Sequence, residues 1–346
     1  MYFERIIRKV GFIIDFNAKI RENTLIKYLF ILTRVVFVLS IQTSRDRSIS
    51  ALLEQKVFSK MEETMNEIHR YFIKLDDPNK VERKKNLLAI QRVLVEKYPL
   101  ENKPKKNNRE VCVLWNEKLH VPLLKLLRDD SERVREIAAE LVLFFYGHMV
   151  NTAPMTLSYI LPVLKQRLVF KEEVVEPSEE VRFLLIKILS RILELPNETE
   201  DLKVHLDDLI HILGACINDS FSDIKVEACE NVHQLAQALA KDFHMSASGL
   251  LNPLAKAMTH QQKKVRIACI KACGVVLHHS GFDDFQIIGS HLAQRLFDPI
   301  PQVRLAVSNV AGDLLMNWRC APSCCSLLIP LLLTRYKDLI ELWNFV

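Results

Sequence analysis

Residues 303–315 read VRLAVSNVAGDLL, and this stretch contains the pattern that decides the fold. Apolar and small residues recur at positions i, i+3, i+4, i+7 and i+8 from Val303 onward, so they share one face of a helix. The helix opens with an aliphatic residue followed by a base. The same opening occurs four times upstream, as Val134-Arg135, Val181-Arg182, Ile224-Lys225 and Val265-Arg266.

The spacing of these five openings points to a repeat architecture. Successive bases lie 47, 43, 41 and 38 residues apart, close to the ~40–47 residues of HEAT and armadillo units. Apolar runs containing Pro122, Pro162 and Pro253 precede three of the openings and predict a partner helix in each unit. Only 8 glycines occur in 346 residues, which argues against sheet-rich and nucleotide-binding folds. The sequence therefore predicts an all-α, HEAT/armadillo-like α-solenoid, a right-handed superhelix of antiparallel helix pairs.

The repeat pattern divides the chain into three predicted regions. Residues 1–48 form an apolar and basic N-terminal extension, and residues 49–110 form a fainter first helical hairpin followed by a linker. Residues 111–346 form the repeat array. We expect its last repeat to be incomplete, because Lys337 and Leu342-Trp343 stand where an acid and an aliphatic–base pair would continue the pattern.

A polar residue stands six positions before each base, at Asp129, Glu176, Asp219, His260 and Asp298. An acid here could bond to the base of a neighbouring unit and form an inter-repeat ladder. The same acids could instead cap the free N–H groups of the following helix, and the sequence leaves both interpretations open. The predicted structural ladder comprises Asp129, Arg135, Glu176, Arg182, Asp219, Lys225, Arg266, Asp298 and Arg304.

The sequence offers no constellation for catalysis. It contains no glycine-rich phosphate loop, no HExxH and no GxSxG. Cys269 and Cys273 are four residues apart near His278-His279, but both cysteines belong to an apolar helical stripe, where cysteine behaves as a small hydrophobe. Cys320, Cys324 and Cys325 are predicted to lie in a turn. We expect no catalytic residue, no metal site, no cofactor and no enzymatic activity.

The charge distribution argues against nucleic acid and membrane as partners. Nine basic and four acidic residues fall within residues 1–48, and the rest of the chain holds 38 of each sign, so it lacks the field that binds a phosphate backbone. The apolar run from Leu25 to Ile41 contains Lys27 and Arg34. Its uncharged stretches are shorter than the ~20 residues of a membrane span. The eight cysteines show no disulfide framework, which favours a cytoplasmic protein.

Longer strings resemble one family of helical-repeat proteins. Residues 175–182 (VEPSEEVR), 291–298 (HLAQRLFD) and 301–304 (PQVR) resemble the HEAT-repeat dynein axonemal assembly factors, and the likeness covers roughly residues 110–333. The resemblance implies a non-catalytic scaffold in the cytoplasmic preassembly of axonemal dynein arms for cilia and flagella. It also implies that axonemal dynein chains, chaperones and other assembly factors are the partners. The family's array continues past the point where this chain ends.

Two other functions stay open at this stage. The chain could be a different HEAT-repeat adaptor, such as a phosphatase scaffold or a transport factor, or a membrane-tethered adaptor that depends on Leu25–Ile41. In each case client contacts are expected on the exposed sides of the second helices. Examples are Glu136, Glu140, Lys187, Arg191, Lys271 and Gln302.

Overall fold

A computed structural model describes residues 57, 59–100, 108–149, 157–169, 176–195 and 199–343. The predicted extension at residues 1–48, with its apolar run, lies outside these residues. The chain divides into two compact units, Met1–Lys60 and Met61–Val346, and the repeat array belongs to the second. No helix in the described ranges combines the length and the apolar character needed to cross a membrane.

Every regular element in the described residues is a helix, which confirms the predicted all-α class. The α-helices are α1 (59–72), α2 (Lys80–Lys97), α3 (Arg109–Leu114), α4 (His120–Leu126), α5 (Glu132–Gly147), α6 (Leu157–Leu168), α7 (Glu179–Glu194), α8 (Thr199–Val204), α9 (Leu206–Ile217), α10 (Ser222–Ala238), α11 (Leu251–Ala257), α12 (Lys263–His278), α13 (Phe282–Arg295), α14 (Pro301–Asn317) and α15 (Ala321–Trp343). A π-helix, Trp115–Leu119, joins α3 to α4, and 3₁₀ turns occupy Ile73–Asp76, Phe243–Met245 and Ala247–Leu250.

These helices form hairpins that stack side by side. The second helices α2, α5, α7, α10, α12 and α14 pack on one another in that order, and they define hairpins 1 to 6. The first helices form the other layer, with α9 packed against both α6 and α11, and α13 packed against α11 and α15. Each helix buries its apolar stripe between neighbours, so the core is one continuous cluster. The predicted α-solenoid is confirmed.

Prolines explain the irregular helices in the first layer. Pro122 and Pro253 are each the third residue of a short α-helix, and a π-helix or a 3₁₀ turn precedes each of these helices. A proline lacks the N–H donor, and its ring crowds the carbonyl four residues earlier. The backbone before each of these two prolines therefore departs from regular α geometry. Pro162 and Pro330, by contrast, lie inside α6 and α15.

The C-terminal region differs from the prediction in one respect. The predicted turn holds for Cys320, which lies in it, but is wrong for Cys324 and Cys325, because α15 begins at Ala321 and contains both of them. Pro322 fits there because the first turn of a helix has no intrahelical use for its missing N–H group. Cys324 is fully buried and belongs to the core of the array.

Candidate protein-interaction surface

Three of the predicted ladder pairs meet as buried ion pairs between neighbouring hairpins. Arg135 of hairpin 2 donates from Nε and Nη2 to the two carboxylate oxygens of Glu176, each at 2.6 Å. Arg182 of hairpin 3 makes the same two-pronged contact with Asp219, at 2.7 and 3.1 Å. Arg266 of hairpin 5 donates from Nη2 to Asp298 at 2.9 Å. Each pair fastens the start of one second helix to the turn of the following hairpin.

The acids of the ladder also cap their own second helices. Asp129, Asp219 and Asp298 each accept a hydrogen bond from the backbone N–H group two residues later, at 2.8 to 3.0 Å. Glu176 accepts the equivalent bond from the N–H group of Ser178 at 3.2 Å. The two interpretations of the sequence, ladder and cap, therefore describe the same side chains at the same time.

The six-residue spacing follows from a second contact of the arginines. Arg135 donates from Nη1 to the backbone carbonyl of Asp129 at 2.8 Å, and Arg182 donates to that of Glu176 at 3.0 Å. Arg266 does the same with the carbonyl of His260 at 2.8 Å. A guanidinium group can use one edge for its own turn and the other for the next hairpin, because its five N–H donors form a rigid, planar fork.

Two members of the ladder were missed from the sequence. Arg83 donates to both carboxylate oxygens of Asp129, at 2.7 and 2.8 Å, and to the carbonyl of Asp77 at 2.8 Å. The six-residue spacing between acid and base is present here, because Asp77 stands six residues before Arg83. The aliphatic residue that usually precedes the base is replaced by Glu82. Arg167 is a second base on Glu176. It belongs to the first helix α6, and no spacing rule in the sequence predicted its role.

The structure does not complete the ladder between hairpins 4 and 5. His260 occupies the acid position, and its Nδ1 accepts a hydrogen bond from the N–H group of Gln262 at 3.1 Å. Lys225, which would face that acid, donates instead to the carbonyl of Ile217 at 2.9 Å. At the far end, Arg304 donates to the carbonyl of Asp298 at 2.9 Å, but residue 337, where the pattern would place its partner, is a lysine.

We call a ladder position filled where its base and acid form an ion pair, and unfilled where they do not, as at Lys225 and His260. The pKa shifts reflect this difference. Burial opposes ionisation of Glu176, but Arg135 and Arg167 outweigh it and hold the pKa of Glu176 below its usual range. Burial lowers the pKa of Lys225. The pKa of His260 is also lowered, first by burial and then by the positive charge of Lys225. The filled positions thus favour charged side chains, whereas the unfilled one disfavours them.

The predicted contact residues lie on a face formed by the second helices. Lys271 and Gln302 are exposed, and the other four are half-buried. Glu140 accepts a hydrogen bond from Gln91 of the preceding hairpin at 2.8 Å, so it is not fully available to a partner. A trough of about 690 Å³ runs across α10, α12 and α14 on this face. Its lining combines apolar side chains such as Val226 and Ile267 with charged ones such as Lys271.

The two cysteines that the sequence places four residues apart on one helix lie in the core. Cys269 and Cys273 are completely buried, and burial raises the pKa of Cys273. The Sγ atoms of Cys229 and Cys269 are 3.7 Å apart, between hairpins 4 and 5. Across the described part of the chain, no three His, Cys, Asp or Glu side chains converge as metal ligands would.

Comparison with known proteins gives one consistent result. The sequence matches the family described as "Dynein axonemal assembly factor 5-like, TPR repeats" over residues 74–343. Relatives named dynein axonemal assembly factor 5 are 35% identical over 264 residues in Xenopus laevis, 35% over 267 in Mus musculus and 34% over 267 in Homo sapiens. Each match covers 76% of this chain and 30% of the relative. The chain therefore spans less than a third of the length of these proteins.

Solved structures resemble the chain in fold. An engineered protein superposes with a TM-score of 0.51 at 15% identity, covering 73% of this chain and 98% of its own. Kap121p, solved bound to Pho4p, superposes with a TM-score of 0.50 at 15% identity, covering 77% of this chain and 24% of its own. At this level of identity the likeness shows the fold alone.

Proposed function

This chain belongs to the dynein axonemal assembly factor 5-like family, and from that membership we propose that it is a non-catalytic scaffold for the preassembly of axonemal dynein arms in the cytoplasm. Its proposed partners are axonemal dynein chains, chaperones and other assembly factors. The observation that carries the proposal is the family match over residues 74–343, which includes hairpins 2 to 6 and the second helix of hairpin 1.

The architecture of the array supports a scaffolding role. Stacked hairpins present a long surface in proportion to their mass, and such a surface suits large clients. Buried ion pairs such as Arg135–Glu176 and Arg182–Asp219 fix neighbouring second helices in register. The surface side chains on these helices are therefore held at set positions relative to one another.

The polar groups of the array have structural roles, which supports a non-catalytic function. Three of the most deeply buried charged side chains, Glu176, Asp298 and Arg135, are used to join hairpins.

Affinity capture from cells that are building cilia would test the proposal. The bait is the full chain carrying a small tag, and the soluble fraction is probed for axonemal dynein heavy and intermediate chains and for chaperones. We expect dynein chains to be recovered with the intact bait. A matched bait with Glu176→Gln, which loosens the junction between hairpins 2 and 3, should recover less. If the intact, folded bait recovers neither dynein chains nor assembly factors, the proposal is wrong.

A further inference from the structure

The repeat register places two rows of side chains on the face of the second helices. The residue that follows the ladder base is Phe183, Val226, Ile267 and Leu305 in hairpins 3 to 6, and we call these four side chains the apolar row. The residue five positions after the base is Lys187, Glu230, Lys271 and Asn309, and these four form the polar row. Both rows run across the helices, because they contain one residue from each hairpin.

The apolar row is accessible to a partner. Leu305 is 41% exposed, and the other three members are half-buried. Val226 and Ile267 line the trough of about 690 Å³ together with Val275 and Val310. The row stops at hairpin 3, because Glu136 and Lys84 occupy the same position in hairpins 2 and 1. A defined stretch of four hairpins therefore carries the apolar surface.

The polar row alternates in charge next to this surface. Glu230 and Lys271 are exposed, and neither forms an ion pair within the described residues. Lys187 lies over the ring of Phe183, 4.4 Å from its centroid. The sequence of charges is thus positive, negative, positive, followed by the neutral Asn309. A nucleic acid would not complement this alternation, whereas a peptide with alternating charges would.

We infer that this face binds an amphipathic helix of a client protein, lying along the array across hairpins 3 to 6. Packed helices are about 8–10 Å apart, and a helix rises about 1.5 Å per residue, so about five to seven client residues span one hairpin. Residues seven apart return to nearly the same side of a helix. The client helix would thus place an apolar residue on each member of the apolar row.

Other peptide conformations fit these rows less well. An extended strand advances about 3.3 Å per residue and alternates its faces with every residue, so contacts three residues apart would fall on opposite sides. A polyproline helix has a suitable repeat, but it is recognised by grooves lined with aromatic rings. Here three of the four apolar positions are aliphatic. The client helix should carry a base opposite Glu230 and acids opposite Lys187 and Lys271.

This inference rests on the proposed function, since the client used to test it is an axonemal dynein chain. The full-length chain is used as bait with Lys271→Glu or Leu305→Glu, and recovery of dynein chains from cells building cilia is quantified. The matched controls are Lys256→Glu on the first helix α11 and Val204→Glu on the short helix α8, which make the same kinds of change at exposed positions away from the second-helix face. Circular dichroism verifies that all four variants are folded.

We expect the two variants on the second-helix face to reduce recovery about tenfold or more, since one reverses a charge within the contact and the other introduces a charge into its apolar row. The controls should stay within about twofold of the unaltered bait. If all four variants recover dynein chains equally, the binding face is wrong while the proposed function stands. If even the unaltered bait recovers none, both proposals fail.

The helical form of the client has its own test. A photo-reactive benzoylphenylalanine placed at position 267 or 305 in the full chain is cross-linked to the captured dynein chain, and the attachment sites are mapped by mass spectrometry. The expected sites lie about seven residues apart in one segment of the client. Sites about three residues apart would show an extended client and overturn the helical assignment. A control probe at position 204 should give no cross-links, and cross-links found only from it would overturn the binding face.

Discussion

Two neighbouring junctions in the array pack their second helices in the same way but differ in the polar residues between them. They are the junction between hairpins 3 and 4 and the junction between hairpins 4 and 5. In the first, Arg182 and Asp219 form a buried, two-pronged ion pair. In the second, Lys225 and His260 occupy the same two positions and form no ion pair. Both pairs of second helices nevertheless pack closely and bury their apolar stripes. Stacking is therefore driven by apolar burial, and the ion pairs add a preference for one register.

The two changes at the unfilled junction compensate for each other. An arginine without its acid would leave one edge of a buried guanidinium without a partner, which is costly. A lysine has a single, flexible ammonium group, and Lys225 turns back to the carbonyl of Ile217. Histidine, in turn, keeps the cap through its Nδ1 without placing a negative charge beside a lysine whose pKa is lowered. The comparison predicts that base and acid positions depend on each other.

The largest expected effect comes from breaking a filled junction. Glu176→Gln should lower the free energy of unfolding by about 3–5 kcal/mol, because it leaves two buried guanidinium groups without a counter-charge. The side chains of Arg135 and Arg167 are each 6% exposed, and that of Glu176 is not exposed at all. Urea unfolding followed by circular dichroism measures the loss. Glu194→Gln, which breaks the exposed pair with Arg191, is the control, and an equal loss in both would contradict the argument.

A smaller loss of stability is expected when the arginine of a filled junction is replaced by lysine, the base found at the unfilled junction. Arg266→Lys should lower the free energy of unfolding by about 1.5–3 kcal/mol, since hydrogen bonds to the charged Asp298 and to the carbonyl of His260 are lost. Adding Asp298→His reproduces the natural lysine–histidine pair and should recover part of the loss. A double-mutant cycle measures this coupling. Strict additivity of the two changes would show that base and acid do not depend on each other.

The sequence predicted the repeat well because the repeat is periodic. Each aliphatic–base opening lies at the start of a second helix, and the six-residue spacing reflects the reach of an arginine from its helix back to its own turn. Sequence spacing could not show which acid each base would meet, because the partners are 32 to 41 residues apart. Arg167 was missed for a different reason: it lies only nine residues before Glu176, but on a first helix, where no repeated spacing marks a base. Cys324 and Cys325 were wrongly predicted to lie in a turn because Pro322 stands in the first turn of a helix rather than ending one.

A smaller and opposite effect is expected when the unfilled junction is filled. His260→Asp should raise the free energy of unfolding by about 1 kcal/mol, because the carboxylate would keep the cap on Gln262 and gain a bond to Lys225. His260→Asn separates these contributions, since an asparagine can cap but carries no charge. Thermal unfolding of both variants measures the difference. A gain of equal size with asparagine would mean that the cap, and not the ion pair, is responsible.

The smallest expected effect is a pH dependence of the free energy of unfolding. It comes from the unfilled junction between hairpins 4 and 5 and requires no change in packing. Burial and the charge of Lys225, with Arg266 and Lys264 nearby, lower the pKa of His260 in the folded chain. A histidine with a lowered folded-state pKa adds stability above its unfolded pKa of about 6.5, and this stability is lost as the pH falls through the folded pKa. The junctions at Glu176 and Asp298 do not respond in this window, because the pKa values of these two carboxylates are lowered below the ordinary range.

Comparing the chain with its His260→Asn variant isolates this contribution. The free energy of unfolding should fall more steeply for the unaltered chain between pH 7.5 and pH 5.5, where His260 takes up its proton more readily in the unfolded state. His279, whose pKa burial also lowers, titrates in both proteins and cancels in the difference. Urea unfolding at several pH values gives the two curves. Parallel curves would mean that the junction between hairpins 4 and 5 tolerates a charged histidine, and that its lysine is not held close enough to repel one.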